Sequence, residues 1–151
     1  MPVPSANQPT VATPDPRLAD SSFLRACRQE RPETAPVWFM RQAGRSLPEY
    51  RALRKDIGML DSCRRPDLVT EITLQPVRRY GVDAAIFFSD IVVPLKAVGV
   101  DLDIVAGVGP VIAEPFRTWD DLDRLPELTP EHVPDITEPS RCWWPSWAPP
   151  R

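Results

Sequence analysis

Pro36-Val37-Trp38-Phe39-Met40-Arg41-Gln42-Ala43-Gly44-Arg45-Ser46-Leu47-Pro48-Glu49-Tyr50 is the stretch whose order predicts the fold. Val37 to Met40 is a fully apolar run of strand length, which predicts a buried strand with Arg41 as the first polar residue after it. Ser46, Leu47, Pro48 and Glu49 then make a capping box with proline early in the first turn. Tyr50 and Leu53, three apart, share one face of the helix expected to run to about Lys55.

Moving outward, Pro66 opens a second amphipathic helix carrying Leu68, Val69, Ile72 and Val77, which Pro76 should kink and Gly81 should end. Asp83 to Phe88 reads as another buried strand, terminating in Ser89 and Asp90. Strand, helix, helix, strand argues for parallel strands joined by right-handed crossovers, hence an α/β protein. From Ile91 to Glu114 apolar residues alternate loosely with Gly99, Gly107, Gly109 and Pro110, which predicts a loop with short strands. Thr118 to Asp121 is a further capping pattern, and the acidic stretch to Glu138 reads as helical only in fragments. At the other end, residues 1–17 form a Pro-rich tail with too few apolar groups to offset the entropy of ordering. Ser21 or Ser22 then caps a short helix carrying Phe23, Leu24 and Cys27.

Composition excludes several classes. The chain has 151 residues, enough for one modest core, and 20 of them are proline, so some stretches can be neither helix nor inner strand. Apolar runs such as Ala84 to Phe88 are far too short to span a membrane. No secretory signal is visible, which predicts a cytoplasmic protein with Cys27, Cys63 and Cys142 as reduced thiols. The net charge of -3 divides into +3 over residues 1–100 (14 basic, 11 acidic) and -6 over 101–151 (4 basic, 10 acidic). Neither value approaches a nucleic-acid footprint, and His132, the single histidine, cannot build a zinc site alone. Of the basic residues only Lys55 and Lys96 are lysine; arginine suits bidentate recognition of carboxylate or phosphate.

Arg41 and Arg45 fall between the expected strand and the capped helix. In parallel α/β folds such loops face the ligand, and two guanidiniums with Gly44 allowing close backbone approach suit a polycarboxylate or phosphate. The alternative is a pair of surface arginines in structural ion pairs. Asp90 ends the next strand and should open on the same face, where two arginines would keep it ionised as an anionic contact for ligand N–H groups or a developing cation. The alternative there is a turn or capping aspartate. Gly107 and Gly109 resemble the start of a dinucleotide fingerprint, but Ile112 occupies the third glycine position and no uninterrupted helix follows.

Residues 36–50, together with Ile86-Phe87-Phe88-Ser89-Asp90-Ile91, closely resemble the uroporphyrinogen decarboxylase family of haem biosynthesis. The resemblance continues through Glu71-Ile72-Thr73-Leu74-Gln75-Pro76 and Gly109-Pro110-Val111-Ile112 and covers residues 18–138. It implies the N-terminal portion of a (β/α)8 barrel, incomplete in this chain, since such a barrel needs about 250 residues. It also implies a cytoplasmic homodimer that converts uroporphyrinogen III to coproporphyrinogen III by removing CO2 from four acetate arms, with no metal or cofactor and no nucleic-acid or membrane partner. By the same resemblance Arg41 and Arg45 bind substrate carboxylates, an arginine being discussed as proton donor. Gln42, Ala43 and Gly44 line the pocket, and Asp90 contacts the pyrrole N–H groups. The family's later tyrosine, serine and histidine contacts lie in a half that this chain lacks, so the isolated chain is expected to be unstable and inactive. A corrinoid-linked methyltransferase of the same barrel superfamily, with zinc ligands late in the chain, is the alternative enzyme.

Residues 139–151, with Trp143, Trp144 and Trp147 among four prolines, follow neither helical nor strand period. Tryptophan has one codon, so the neighbouring frame is readable. Shifted by one nucleotide with GC-rich codons, the stretch becomes an amphipathic helix ending in glycine. The expectation is a one-nucleotide loss near the codons of Glu138 and Pro139 and an out-of-frame, non-homologous tail. The alternative is a natural aromatic tail on a non-catalytic fragment that docks on a partner.

Overall fold

The computed structural model describes residues 16–39 and 44–136. The chain divides into two compact units, Met1–Val37 and Trp38–Arg151. The expected Pro-rich tail lies outside the described residues up to 15, and its last two residues fall inside a short helix; the expected out-of-frame tail lies wholly outside.

In the first unit, α1 spans Pro16–Ala19 and α2 spans Ser22–Cys27. Ser21 caps α2 as expected, its hydroxyl accepting the Leu24 N–H at 3.3 Å. Arg28 donates to the Ala19 carbonyl at 2.8 Å and pairs with Glu30 at 2.6 Å, so polar ties rather than burial organise this unit.

The second unit contains α3 (Pro48–Leu53), α4 (Met59–Cys63), α5 (Pro66–Tyr80) and α6 (Val93–Ala97). A hairpin of β1 (Leu102–Val105) and β2 (Gly109–Ile112) follows, then 3-10 turns at Asp120–Arg124 and Pro130–His132. Helix α5 behaves as its sequence predicts: proline starts it, and Gly81 ends it in the left-handed region at φ 61°. Pro76 sits inside without ending it, because the whole stretch Ile72 to Pro76 is buried and packing outweighs one missing backbone donor. Cys63, Leu68, Val69, Ile72 and Phe88 form the core cluster, with Tyr50, Leu53 and Met59 packed around it.

Three expectations are corrected. Val37 to Phe39 and Asp83 to Phe88 are not strands, and Val37, Trp38 and Phe39 are 50%, 43% and 53% exposed; Met40 lies outside the described residues. An apolar run signals burial, but a strand also requires a ladder, and neither segment takes part in one among the described residues. The one sheet described is therefore not parallel: β1 and β2 are antiparallel, registering Leu102 with Ile112 and Val105 with Gly109. Gly107 and Gly109, at φ 80° and 106°, supply the hairpin loop conformation, a local reason for the glycine spacing. Finally, α3 starts at Pro48 with Leu47, not Ser46, as N-cap, and no side chain caps it. Leu47 is fully buried, its N–H is taken by the Gly44 carbonyl at 3.0 Å, and Glu49 turns instead to Arg79 of α5. Burial of Leu47 and a cross-helix ion pair thus displaced the box. The architecture is mixed helix with a small sheet; no closed barrel is present among the described residues. No described helix is long and apolar enough to cross a membrane.

Candidate active site

Two of the six expected site residues can be followed as side chains, Arg45 and Asp90; Arg41, Gln42 and Ala43 lie outside the described residues, and Gly44 contributes backbone only. Gly44 opens the turn closed by the Leu47 N–H, and Arg45 is exposed at its crest. The Arg45 carbonyl accepts a 2.6 Å bond from Arg51 of α3, which anchors the turn to the helix that follows. Farther along α3, Tyr50 meets Phe88 edge to face, the ring centroids 6.0 Å apart. Arg54 lies over the Tyr50 ring at 5.6 Å and donates to its hydroxyl at 3.0 Å, so the ring is held by a second contact.

Phe88 stands two residues before Asp90. Its backbone N–H donates to the Thr73 hydroxyl of α5 at 2.9 Å in a buried setting. Asp90 is half-buried, and its Oδ1 accepts the Val92 N–H at 3.0 Å while its carbonyl accepts the Val93 N–H at 3.1 Å, where α6 begins. The turn role weighed for this aspartate is therefore real. It orients the carboxylate at the head of α6, and no ion pair joins Arg45 to Asp90 among the described residues. The two loops are linked instead through one apolar cluster, by Tyr50 on one side and Phe88 on the other.

Beneath Asp90 lies Cys63, buried at the end of α4. Burial first, then the Asp90 charge, pushes its thiol up to about 11. Ile91, directly after Asp90, is 92% exposed, an aliphatic surface beside an acid. Sequence reasoning passed over Thr73 and Cys63, although a threonine between Ile72 and Leu74 on an apolar helix face was a signal. No group of three or more His, Cys, Asp or Glu residues able to hold a metal ion exists among the described residues.

The model of the family described as uroporphyrinogen decarboxylase (URO-D) matches residues 18–140. The chain belongs to this family. It is 74% identical over 129 residues to the uroporphyrinogen decarboxylase of a Nocardioides species, covering 85% of this chain and 37% of that protein. It is 66% identical over 134 residues to that of Streptomyces coelicolor (89% and 38%), and 66% over 124 residues to that of Thermobifida fusca (82% and 34%). The chain thus spans little more than a third of the length of the curated relatives it matches.

Proposed function

We propose that this chain is the N-terminal portion of a uroporphyrinogen decarboxylase, with residues 18–138 forming the first part of a (β/α)8 barrel. The observation that carries this reading is the family match over residues 18–140, with relatives bearing that name at 62–74% identity. Those names favour the decarboxylase over a corrinoid-linked methyltransferase. In the complete cytoplasmic enzyme, a homodimer working without metal or cofactor, Arg41 and Arg45 bind carboxylates of uroporphyrinogen, with Gln42, Ala43 and Gly44 lining the pocket. Guanidinium forks match carboxylates two bonds at a time, which suits a substrate with eight acid arms.

Asp90 faces the pyrrole N–H groups and stabilises the cation formed when a ring carbon takes up a proton. The protonated ring is then the electron sink. The bond from the acetate methylene to the carboxylate breaks, CO2 leaves, and the electron pair moves into the ring. A second proton delivered to the methylene carbon makes the methyl group, and loss of the first restores the pyrrole. The turn that fixes Asp90 Oδ1 at the Val92 N–H and the exposed Ile91 beside it support a charged point next to an apolar contact.

The test replaces the matching third of the Nocardioides enzyme by residues 18–138 of this chain and measures coproporphyrinogen formed from uroporphyrinogen. Activity is expected, lost on Asp90→Ala and reduced on Arg45→Leu. An inactive hybrid that folds as a dimer, or an Asp90→Ala hybrid with full activity, would overturn the assignment. A DNA read across the codons of Thr137 to Arg151 tests the domain boundary: an extra nucleotide that opens a frame through a full barrel supports the out-of-frame tail, and the written sequence removes it.

A further inference from the structure

We infer that Thr73 of α5 is the positioning residue for Asp90, holding the segment that carries it through the Phe88 amide; this rests on the reading of Asp90 as a substrate contact. Thr73 is 1% exposed between Ile72 and Leu74, at 0% and 4%, so its hydroxyl lies in apolar surroundings where an unpaired polar group is costly. Its oxygen accepts the Phe88 N–H at 2.9 Å, across 15 residues of sequence. Residues 84–90 take part in no sheet ladder among the described residues, and this side chain does for the Phe88 amide what a neighbouring strand does elsewhere. Two residues on, the Asp90 carboxylate and carbonyl accept from the Val92 and Val93 amides. The segment is therefore tied to α5 at the Phe88 amide and to the start of α6 at Asp90, and the carboxylate projects from a backbone held on both sides. Valine has the shape of threonine without the acceptor, whereas serine keeps the acceptor.

The experiment uses the full-length Nocardioides hybrid carrying residues 18–138 of this chain, with its Thr73→Val and Thr73→Ser variants. Amide exchange is read residue by residue, and uroporphyrin I is the binding probe, followed by its fluorescence. Thr73→Val should speed Phe88 exchange on the order of tenfold while Ile72 and Leu74 amides stay within about twofold, and weaken porphyrin binding about as much. Thr73→Ser should restore both to within about twofold. A Val variant that behaves as the unsubstituted hybrid overturns the inference, as does a Ser variant as impaired as Val, or a Phe88 amide exchanging at the free-peptide rate in the unsubstituted hybrid. A protected Phe88 with the Val and Ser contrast intact, in a hybrid that leaves uroporphyrin fluorescence unchanged, supports the Thr73 anchor and sinks the porphyrin reading instead.

Discussion

Residues 59–93 and residues 114–136 are held in opposite ways. In the first stretch α4, α5 and the segment ending at Asp90 bury Cys63, Leu68, Val69, Ile72 and Phe88 in one cluster, and their ties reach across 15 or more residues. In the second, Trp119 is 86% exposed and Leu122, Leu125 and Leu128 are all exposed, while order comes from neighbours in sequence. Asp121 binds Thr118 and Arg117, Arg124 pairs with Glu114 at 2.9 Å and lies 5.0 Å from the Phe116 ring, and His132 receives the Thr129 N–H at 3.1 Å. Arg64 to Asp135, at 3.3 Å, is a rare long-range link. Local caps set the path of a backbone, but burial supplies the larger share of stability, and exposed ion pairs add little. The same contrast separates what the Asp90 loop is for from what surrounds it: a charged side chain can be aimed only from a framework that does not fluctuate.

The comparison breaks most visibly with one substitution in each region. Ile72→Ala removes a fully buried side chain from the centre of the cluster and should cost about 2–5 kcal/mol. Trp119→Ser, at a far larger residue, should change stability by no more than about 0.5 kcal/mol. Urea unfolding of both variants decides it, and equal costs would show that the second region hides a core of its own.

The thiols sharpen it next. Cys27 is exposed and Cys63 is buried with its thiol at about 11. Cys63 is both buried and held protonated at pH 8, whereas Cys27 is open to reagent, so iodoacetamide should modify Cys27 faster by a factor of about 100 or more. Because the folded value is raised above the ordinary 9.0, the protonated thiol favours the folded chain. That contribution is fully present below pH 9 and is lost as pH rises through about 11. Unfolding midpoints should therefore fall more between neutral and alkaline pH in the unsubstituted chain than in Cys63→Ala, and parallel profiles would refute the assignment.

At the end of α5 the expected effect is smaller. A Cβ at Gly81 would meet nothing within 4 Å, so Gly81→Ala isolates the strain of φ 61° without a clash. It should cost about 1 kcal/mol, and Gly81→Asn less, since asparagine tolerates the left-handed region. Equal midpoints for glycine and alanine would mean that the helix terminates by another route.

These elements differ in how far the sequence announced them. Helix α5 was legible because its start, apolar face and stop are written in local chemistry: Pro66, the Leu68 to Val77 spacing and Gly81. The α4 and α6 helices, five residues each, carry too few turns for a period to register. Val37 to Phe39 and Asp83 to Phe88 misled because an apolar run does not name a ladder partner, which is a property of the rest of the chain. At the site, Arg45 and Asp90 were visible as charges in telling places. Thr73 and Cys63 were not, because their meaning depends on meeting Phe88 and Asp90 across 15 and 27 positions.

The smallest effect tests the local half of the comparison on its own terms. Asp121 is held below the usual carboxylate range first by the Arg117 N–H, then by the N–H and hydroxyl of Thr118, at 2.8 to 3.0 Å. A depressed carboxylate favours the ordered turn at every pH above its ordinary value near about 4, and that preference is lost as pH falls through the lower, folded value. Exchange protection of the Arg117 and Thr118 amides should therefore hold from neutrality down past about pH 4 and vanish only below it. Asp121→Asn keeps an acceptor but no titrating charge, so its protection should be weaker and flat with pH. Protection lost already above about pH 5, or an unaltered acid profile in Asp121→Asn, would assign the turn to something other than this carboxylate. Throughout the titration the Ile72 amide should not respond, since nothing that Asp121 holds reaches the α5 cluster within the described residues.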